Sequence, residues 1–213
     1  MMIIRKTLLA LTGLFICFFL IAHLGANFIL LLPAPKAHDL YNSYSSFLRH
    51  NFLILIVAYF NYACILGHVI LSIVITIKNR RSKGSIKGKN ASLENSSWTS
   101  QNMGLLGTIL LTFIVIHMAN FWFKVKFSGE EHDLYVMVIS LFSSPGYVLI
   151  YFLAMLPLGL HLAHGVESGF RSIGLYHKKY LRWIARIGVA YAWFTAIGFA
   201  IIPVIIYFRQ ETL

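Results

Sequence analysis

The chain has few charged residues and very few acidic ones. Of its 213 residues, 12% are charged, and Asp and Glu together number only 7. Soluble globular domains carry about 25% charged residues, whereas here 58% of the residues are hydrophobic. This composition excludes an ordinary soluble domain and predicts an integral membrane protein.

Cysteine is scarce too, and the short motifs that bind nucleotides are missing. The two cysteines, Cys17 and Cys64, both fall inside apolar stretches and form no C-x-x-C pair. Cysteine-bound zinc, iron–sulfur clusters and covalently attached haem all need such pairs or clusters, so we expect none of them here. A glycine-rich dinucleotide fingerprint is also absent from the sequence. Any redox group of this chain must therefore be held by other side chains, without a covalent link.

Long apolar runs dominate what is present. Five runs are long enough for the roughly 20 residues that an α-helix needs to cross a bilayer, and they lie at about 7–32, 52–77, 103–124, 147–170 and 184–207. The runs are continuous rather than alternating, which disfavours the ~10-residue strands of a membrane β-barrel. We therefore predict an all-α integral membrane protein with a single domain over 1–213. It is a five-transmembrane-helix bundle with a cytoplasmic loop at 78–101.

The basic residues predict how this bundle is oriented. Thirteen of the 18 Lys and Arg residues fall on the side of the N-terminus and 5 on the other side. Because short cytoplasmic loops are enriched in Lys and Arg, we expect the N-terminus in the cytoplasm and the C-terminus outside. The net charge of +11 then follows from topology, so we expect no nucleic-acid partner. The basic loop at 78–101 is suited to contact with anionic membrane lipid.

Each of the first four predicted helices carries a histidine near its middle. At 1.5 Å per residue, His23 and His117 lie ~5 Å from the middle toward the outer side, and His68 and His161 lie ~4–5 Å toward the inner side. A polar side chain at this depth costs free energy and usually marks a site or a buried partner. Haem iron takes one axial ligand from each face of the ring, and imidazole is a common ligand. Two histidine pairs at two levels therefore predict two stacked haems b, held without covalent links.

The fourth helix offers a second candidate ligand. His164 follows His161 by three positions and lies on roughly the same face. His161 matches the level of His68 better, whereas His164 lies nearer the cytoplasmic boundary, where it would meet a haem propionate or water. We therefore expect His161 to bind the iron and His164 to lie beside the cofactor.

Four stretches of the sequence together resemble one protein family. They read "RKTLLALTGLFICFFLIAHLGANF", "ILGHVILSI", "TFIVIHMANFWF" and "SSPGYVLIYFLAMLPLGLHLAHGVESGFRSIGLYHKKY". They are similar to the membrane-anchor cytochrome b subunit of succinate dehydrogenase or fumarate reductase, in its five-helix, two-haem form. The resemblance covers nearly the whole chain. It implies that His23 and His117 hold the iron of a distal haem, and that His68 and His161 hold the iron of a proximal one.

The resemblance also implies a division of labour among subunits. The flavin, the iron–sulfur clusters and the succinate or fumarate chemistry would belong to a flavoprotein subunit and an iron–sulfur subunit, docked on the basic cytoplasmic face. This chain, in a bacterial cytoplasmic (inner) membrane, would pass electrons between them and a membrane quinone, usually menaquinone for this form. His164, Arg171 and Arg182 are then candidates for contacts with the haem propionates or for the shell around the iron ligands.

The sequence departs from the family pattern at the expected quinone site. Relatives place an acidic residue near the outer haem at the start of the second helix, where this chain reads "SSFLRHNFL". His50, with Asp39 and His38 upstream, stands in place of the expected glutamate. Quinone chemistry needs a proton-exchanging group of this kind, so His50 and Asp39 are candidate quinone-site residues. The acidic stretch "GEEHD" at 129–133 is interpreted as a solvated loop.

Two other functions fit parts of this pattern. The di-haem membrane subunit of another quinone-linked oxidoreductase, of the nitrate reductase or formate dehydrogenase type, also pairs histidines between helices. Those families more often place two ligands on one helix, whereas here each of four helices offers one. A haem-free transporter with structural histidines is the second alternative, and a reduced-minus-oxidised spectrum would separate it from any cytochrome.

Overall fold

Helices make up all the regular structure in the described part of the chain. The computed structural model describes residues 2–83, 97–128, 132–175 and 177–210. The α-helices are α1 (Met2–Asn27), α2 (Ala34–His50), α3 (Phe52–Lys83), α4 (Trp98–Met118), α5 (Leu134–Phe142), α6 (Pro145–Ser172) and α7 (Lys178–Gln210). A 3₁₀ segment, Phe28–Leu31, extends α1, and α4 continues through a π-helical segment, Ala119–Phe123, into a last turn, Lys124–Phe127.

Five helical segments are long and apolar enough to cross a membrane. They lie at Ile3–Leu31, Phe52–Asn79, Trp98–Phe127, Pro145–Ser172 and Tyr180–Arg209. Large apolar side chains point outward from them, such as Phe18 and Leu66, which are 77% and 64% exposed. Exposed apolar surface of this extent suits contact with lipid rather than water. The prediction of an all-α, multi-pass membrane protein is confirmed at this level.

The segment predicted as a cytoplasmic loop at 78–101 is helical at both ends. Helix α3 runs on to Lys83, and α4 begins at Trp98. Ser97 caps α4, because its hydroxyl oxygen accepts a hydrogen bond from the backbone N–H of Ser100 at 3.3 Å. Polar residues continue these helices beyond the apolar window, which is why the apolar runs underestimate their length. Residues 84–96 of the predicted loop lie outside the described residues.

Helix α6 is the centre of the bundle and packs against α7, α4 and α1. Close approach to α7 depends on Gly159, where an added Cβ would lie 3.0 Å from Cζ3 of Trp193 and 3.2 Å from Cβ of Ala196. Helix α3 packs mainly on α1, with a smaller contact to α4. Around the bundle α1, α3, α4 and α6 therefore form a four-cornered group. In this group α1 faces α4, and α3 faces α6.

Two helices are too polar or too short for the apolar-run criterion to predict them. Helix α2 is amphipathic: Ala37 is fully buried, whereas Asp39 on the opposite face is exposed. Helix α5 has 9 residues, too few to cross a bilayer. The two helices pack against each other, and α2 also packs on Phe28–Leu31 and α3.

We call the end of the bundle with α2, α5 and the end of α7 the C-terminal face, and the opposite end the N-terminal face. A buried apolar cluster near the C-terminal face joins α1, α5, α6 and α7. Its members are Leu24, Leu30, Val138, Phe142, Tyr151, Ile202 and Ile206. This cluster fixes the ends of α1 and α6 relative to each other. It thereby fixes the relative positions of the side chains that these helices carry nearby.

Candidate functional site

The structure brings the four mid-helix histidines together as two pairs. His23 of α1 faces His117 of α4, with ring centroids 5.8 Å apart and ring planes at 76°. His68 of α3 faces His161 of α6, with centroids 6.4 Å apart and planes at 67°. These are the partners that depth along the helices predicts. We call His23 and His117 the C-face pair, and His68 and His161 the N-face pair.

The two pairs lie at different levels of the bundle. The separation of these levels follows from two glycines that lie beside the N-face pair, one on α1 and one on α4. A Cβ added to Gly13 of α1 would lie 2.9 Å from Cε1 of His68, and one added to Gly107 of α4 would lie 3.8 Å from Cε1 of His161. On both α1 and α4, the histidine of the C-face pair follows this glycine by ten residues. Ten residues of α-helix rise about 15 Å, so both helices give the same spacing between the levels.

The ring separations within the pairs suit a single metal ion between two imidazoles. A metal–imidazole bond is about 2 Å long, and adding the distance from ring nitrogen to ring centroid puts two opposed rings about 6 Å apart. The observed 5.8 and 6.4 Å are close to this separation. An ion held in this way would join α1 to α4 in one pair and α3 to α6 in the other.

Each pair offers two protein ligands. Within the described residues, no group of three or more His, Cys, Asp or Glu side chains is arranged to hold a metal ion. A metal ion between two histidines would take its remaining ligands from another group, such as a cofactor or water. Haem meets this requirement, because the porphyrin nitrogens surround the iron and leave its two axial positions to the protein.

Hydrogen bonding at His68 leaves one ring nitrogen available for a metal. Nδ1 of His68 lies 3.2 Å from the carbonyl oxygen of Leu9 and 3.3 Å from Oγ1 of Thr12. Because a carbonyl oxygen only accepts, Nδ1 carries the proton and donates it to Leu9. The lone pair is then on Nε2. A backbone partner of this kind fixes both the tautomer and the orientation of a metal-binding imidazole.

His161 provides the observation that tests whether these residues fit a cofactor. Nδ1 of His161 is buried and has no hydrogen-bond partner among the described residues. A buried polar atom without a partner costs free energy, so a native structure normally supplies one. A bound group that reaches Nδ1 would satisfy this atom, whereas an iron held through Nε2 would not. The fit of the histidines to a haem therefore rests on their imidazole donors and on the ring separations within the pairs.

Aromatic rings line the C-face pair. The ring of Phe19 stacks on His23 with centroids 5.3 Å apart and planes at 13°. Phe113 lies against His117 with centroids 6.0 Å apart, and Phe199 approaches His23 at 5.6 Å. These rings surround the imidazoles with apolar surface, which excludes water and suits a flat aromatic ligand.

The candidate propionate residues lie at the N-terminal face. His164 lies half-buried in α6, one turn beyond His161. The guanidinium of Arg171 donates from Nη2 to Oε1 of Glu167 at 2.5 Å, one turn back in the same helix. Arg182 is exposed near the start of α7. Their contacts with a haem stay a prediction.

A hydrogen-bonded cluster on the C-terminal face connects α2 to α5. Nε2 of His38 lies 2.6 Å from Oδ2 of Asp133, and Nδ1 lies 3.1 Å from Oδ1 of Asp39. Asn42 donates from Nδ2 to Oδ1 of Asp133 at 2.9 Å. Asp133 also caps α5 by accepting from the backbone N–H of Val136. The end of the predicted solvated loop at 129–133 is thus built into a helix junction, while residues 129–131 lie outside the described residues.

Within this cluster, His38 and Asp133 shift each other's pKa toward the charged forms. Hydrogen bonds and nearby charge from Asp39 and Asp133 raise the pKa of His38 above its ordinary value of 6.5. Partial desolvation raises the pKa of Asp133, but the hydrogen bonds from Val136, Asn42 and His38 outweigh it and leave that pKa below 3.8. At mildly acid pH the cluster therefore favours a protonated histidine between two carboxylates.

The two candidate quinone-site residues lie apart. His50 is exposed at the end of α2, and its Nδ1 donates to the backbone oxygen of Ser46 at 2.8 Å. Asp39 is 86% exposed and contacts His38. Eleven residues of helix separate the two candidates by about 16 Å along α2, so they do not form one site. The involvement of either residue in quinone chemistry stays a prediction.

Sequence reasoning misses several residues that contact the histidines. Tyr151 contacts His117 and accepts a hydrogen bond from Asn120, and Leu9 and Thr12 contact His68. A signal existed for Tyr151 and Asn120, because polar groups inside apolar runs usually have a partner. Leu9 contributes a backbone carbonyl, which no side-chain pattern marks.

Comparison with known proteins provides no identification. No family model, no curated protein and no solved structure matches the chain.

Proposed function

We propose that this chain is the di-haem cytochrome b anchor subunit of a succinate:quinone oxidoreductase, a succinate dehydrogenase or fumarate reductase. It passes electrons between an iron–sulfur subunit and a membrane quinone, with menaquinone the expected species. The observation that carries the proposal is the arrangement of four histidines from four helices as two facing pairs, with ring centroids 5.8 and 6.4 Å apart. The resemblance of the apolar stretches to that family supports the same function.

The roles of this chain's own residues follow from their contacts. Haem b bound between each pair would supply a one-electron carrier at each of two levels. His23 and His117 would hold the haem iron at the C-face pair, and His68 and His161 would hold it at the N-face pair. The Leu9 carbonyl holds the His68 ring by its Nδ1 proton. Such outer contacts raise ligand basicity and fix ring orientation.

The proposed partners follow from charge and from what the chain lacks. Most of the Lys and Arg residues belong to the side of the N-terminus in the topology that the sequence predicts, and in the proposal this side lies in the cytoplasm of a bacterium, at its inner membrane. There it would anchor the iron–sulfur and flavoprotein subunits, which carry out succinate oxidation or fumarate reduction. The same positive face would contact anionic membrane lipid. Electrons would pass between the quinone and the haem at the C-face pair.

The first test of the proposal is the haem content of the purified chain. We expect a pyridine haemochrome assay to give two haems b per chain, and electron paramagnetic resonance to show two low-spin signals. The double variant His23→Ala with His117→Ala should retain one haem, because the N-face pair is intact. His50→Ala is the matched control, since this exposed histidine contacts its own helix, and it should retain both haems.

A ratio of one or zero haems in the wild-type chain would contradict the proposal. The function is tested further in membranes that contain the partner subunits. There, succinate should reduce the haems, and a quinone analogue should then accept the electrons. Haem that stays oxidised with succinate but is reduced by formate would point instead to another respiratory oxidoreductase.

A further inference from the structure

One histidine of the C-face pair is held by a phenol. Oη of Tyr151 in α6 lies 3.4 Å from Nδ1 of His117 in α4. The two ring centroids are 5.9 Å apart. Tyr151 is only 7% exposed, so water does not compete freely for this contact. A buried tyrosine hydroxyl normally has a partner, and here that partner is a proposed iron ligand.

The phenol is itself held in place. Nδ2 of Asn120 donates a hydrogen bond to Oη of Tyr151 at 3.0 Å. The Tyr151 ring packs edge-on against Phe113 and Phe142, with centroids 5.0 and 5.1 Å away. Hydrogen bond and packing together leave the hydroxyl with one position relative to His117. The contact is therefore a built feature of the α4–α6 interface.

The backbone of α4 changes at this point. The π-helical segment Ala119–Phe123 begins immediately after Met118 and contains Asn120. π-Helical turns are rare and occur frequently at functional sites. This altered turn begins two residues after His117 and includes Asn120. It therefore sets the direction of the Asn120 side chain relative to His117.

Hydrogen-bond roles decide what the contact does when His117 binds a metal. A neutral imidazole that coordinates through Nε2 carries its proton on Nδ1. Nδ1 of His117 must then donate to Oη of Tyr151, which has lone pairs for this bond and for the one from Asn120. An acceptor at Nδ1 increases the basicity of the ligand nitrogen and fixes the ring about its bond to the metal.

We infer that Tyr151, held by Asn120, is a positioning residue for the haem ligand His117 and tunes the potential of the haem at the C-face pair alone. This inference rests on the proposed function, because it requires a haem at that pair. The N-face pair has a different anchor, the Leu9 carbonyl at His68. Removing the phenol should therefore affect one haem and leave the other unchanged.

The test uses the full-length chain with both haems. Tyr151→Phe removes the hydroxyl and keeps the ring that packs against Phe113 and Phe142. The signal of the haem at the C-face pair is first assigned as the one lost in His117→Ala. In Tyr151→Phe we expect two haems per chain, a higher midpoint potential of the assigned haem and a shifted low-spin resonance. The potential rises because a less basic ligand stabilises the ferric iron less.

Tyr191→Phe is the matched control. Tyr191 also donates its hydroxyl between helices, to the backbone oxygen of Cys17 at 2.8 Å, but it has no contact with a histidine of either pair in the described structure. We expect this variant to leave both potentials and both resonances unchanged. A purely structural role of Tyr151 would instead lower haem content without moving the potential of the haem that remains.

A second variant keeps the inference testable if Tyr151→Phe does not assemble. Asn120→Leu keeps a side chain of similar size and removes the hydrogen bond that holds the phenol, so it should shift the resonance of the same haem only. Unchanged potentials and resonances, or equal shifts of both haems, in a wild-type background with two low-spin haems would overturn this inference alone. Absence of haem from the wild-type chain would overturn the proposed function together with it.

Discussion

At the scale of single residues, the sequence offers two histidines in α6 that are three positions apart, and geometry favours one of them. Three residues of α-helix advance about 300° and ~4.5 Å, so His164 lies on a neighbouring face and one turn deeper. The ring of His161 faces His68 at 6.4 Å. The nearest charged neighbours along the helix from His164 are Glu167 and Arg171, which pair with each other. His161 is therefore the proposed ligand.

This assignment predicts different results for two alanine variants. His161→Ala should reduce the haem content from two to one per chain and abolish one bis-histidine signal, because a methyl group cannot fill the axial position. His164→Ala should retain both haems and shift one midpoint potential, through a changed hydrogen bond or dielectric near the ring. Electron paramagnetic resonance of the two purified variants is the measurement. Intact signals in His161→Ala together with a lost signal in His164→Ala would reverse the assignment.

At the scale of helices and their junctions, the contact between α2 and α5 depends on charge. His38 lies between the carboxylates of Asp39 and Asp133, and Asp133 is also the N-cap of α5. These groups are largely exposed, so salt screens their attraction and the effect on global stability is small. A local measurement at the start of α5 is therefore more sensitive than a melting temperature.

The pKa directions set the pH range in which this junction is strongest. The raised pKa of His38 gives a stabilisation that is complete below pH 6.5 and is lost as the pH rises through the raised value. The lowered pKa of Asp133 gives a second stabilisation, which is complete above pH 3.8 and is lost as the pH falls through the lowered value. The junction should therefore be tightest between pH 3.8 and 6.5.

Amide hydrogen exchange at the start of α5 checks this expectation. After correction for the intrinsic pH dependence of exchange, protection of Val136 should decrease when the pH rises above the raised pKa of His38. His38→Ala should remove that decrease, and at pH values below the pKa of His38 it should lower the protection of Val136 relative to wild type. His50→Ala, on the same helix but with a partner in its own backbone, should behave as wild type. Equal pH profiles for wild type and His38→Ala would contradict the assigned role.

Elements differ in how well the sequence predicts them, and the reason is physical. A membrane-spanning helix needs a continuous apolar run, so all five spans could be predicted from composition along the chain. Helix α2 buries only one stripe around Ala37, and α5 is short. Both helices are stabilised by packing on the bundle rather than by a lipid-facing surface. The junction between them depends on a contact between residues 38 and 133, which one sequence without tertiary information does not reveal.

At the scale of the whole molecule, the pairing of histidines could be predicted because helix rise converts sequence position into depth. Levels and partners follow from that conversion, and the observed ring separations agree with it. The contacts that surround the rings could not be predicted in the same way. They depend on helix rotation and crossing, which bring the Leu9 carbonyl to His68 and the Tyr151 hydroxyl to His117.

The orientation of the whole bundle in the membrane is the remaining global property, and charge predicts it. Thirteen basic residues on the N-terminal side against 5 on the other should place the N-terminal face in the cytoplasm. Single cysteines at two exposed positions report this: Lys6→Cys at the N-terminal face and Lys36→Cys at the C-terminal face. Both are made in a background with Cys17→Ser and Cys64→Ser, so that no other thiol reacts.

In intact cells, a membrane-impermeant maleimide should label the chain with Lys36→Cys and leave the chain with Lys6→Cys unlabelled until the membrane is permeabilised. The cysteine-free background is the control for both. The reverse pattern would put the basic face outside, where an iron–sulfur subunit of the cytoplasm cannot reach it. The N-face pair would then be the one farther from the partner subunits, and electrons would have to enter through His23 and His117. In the proposed function, orientation therefore decides which haem is proximal, and this labelling experiment tests that assignment independently of any spectrum.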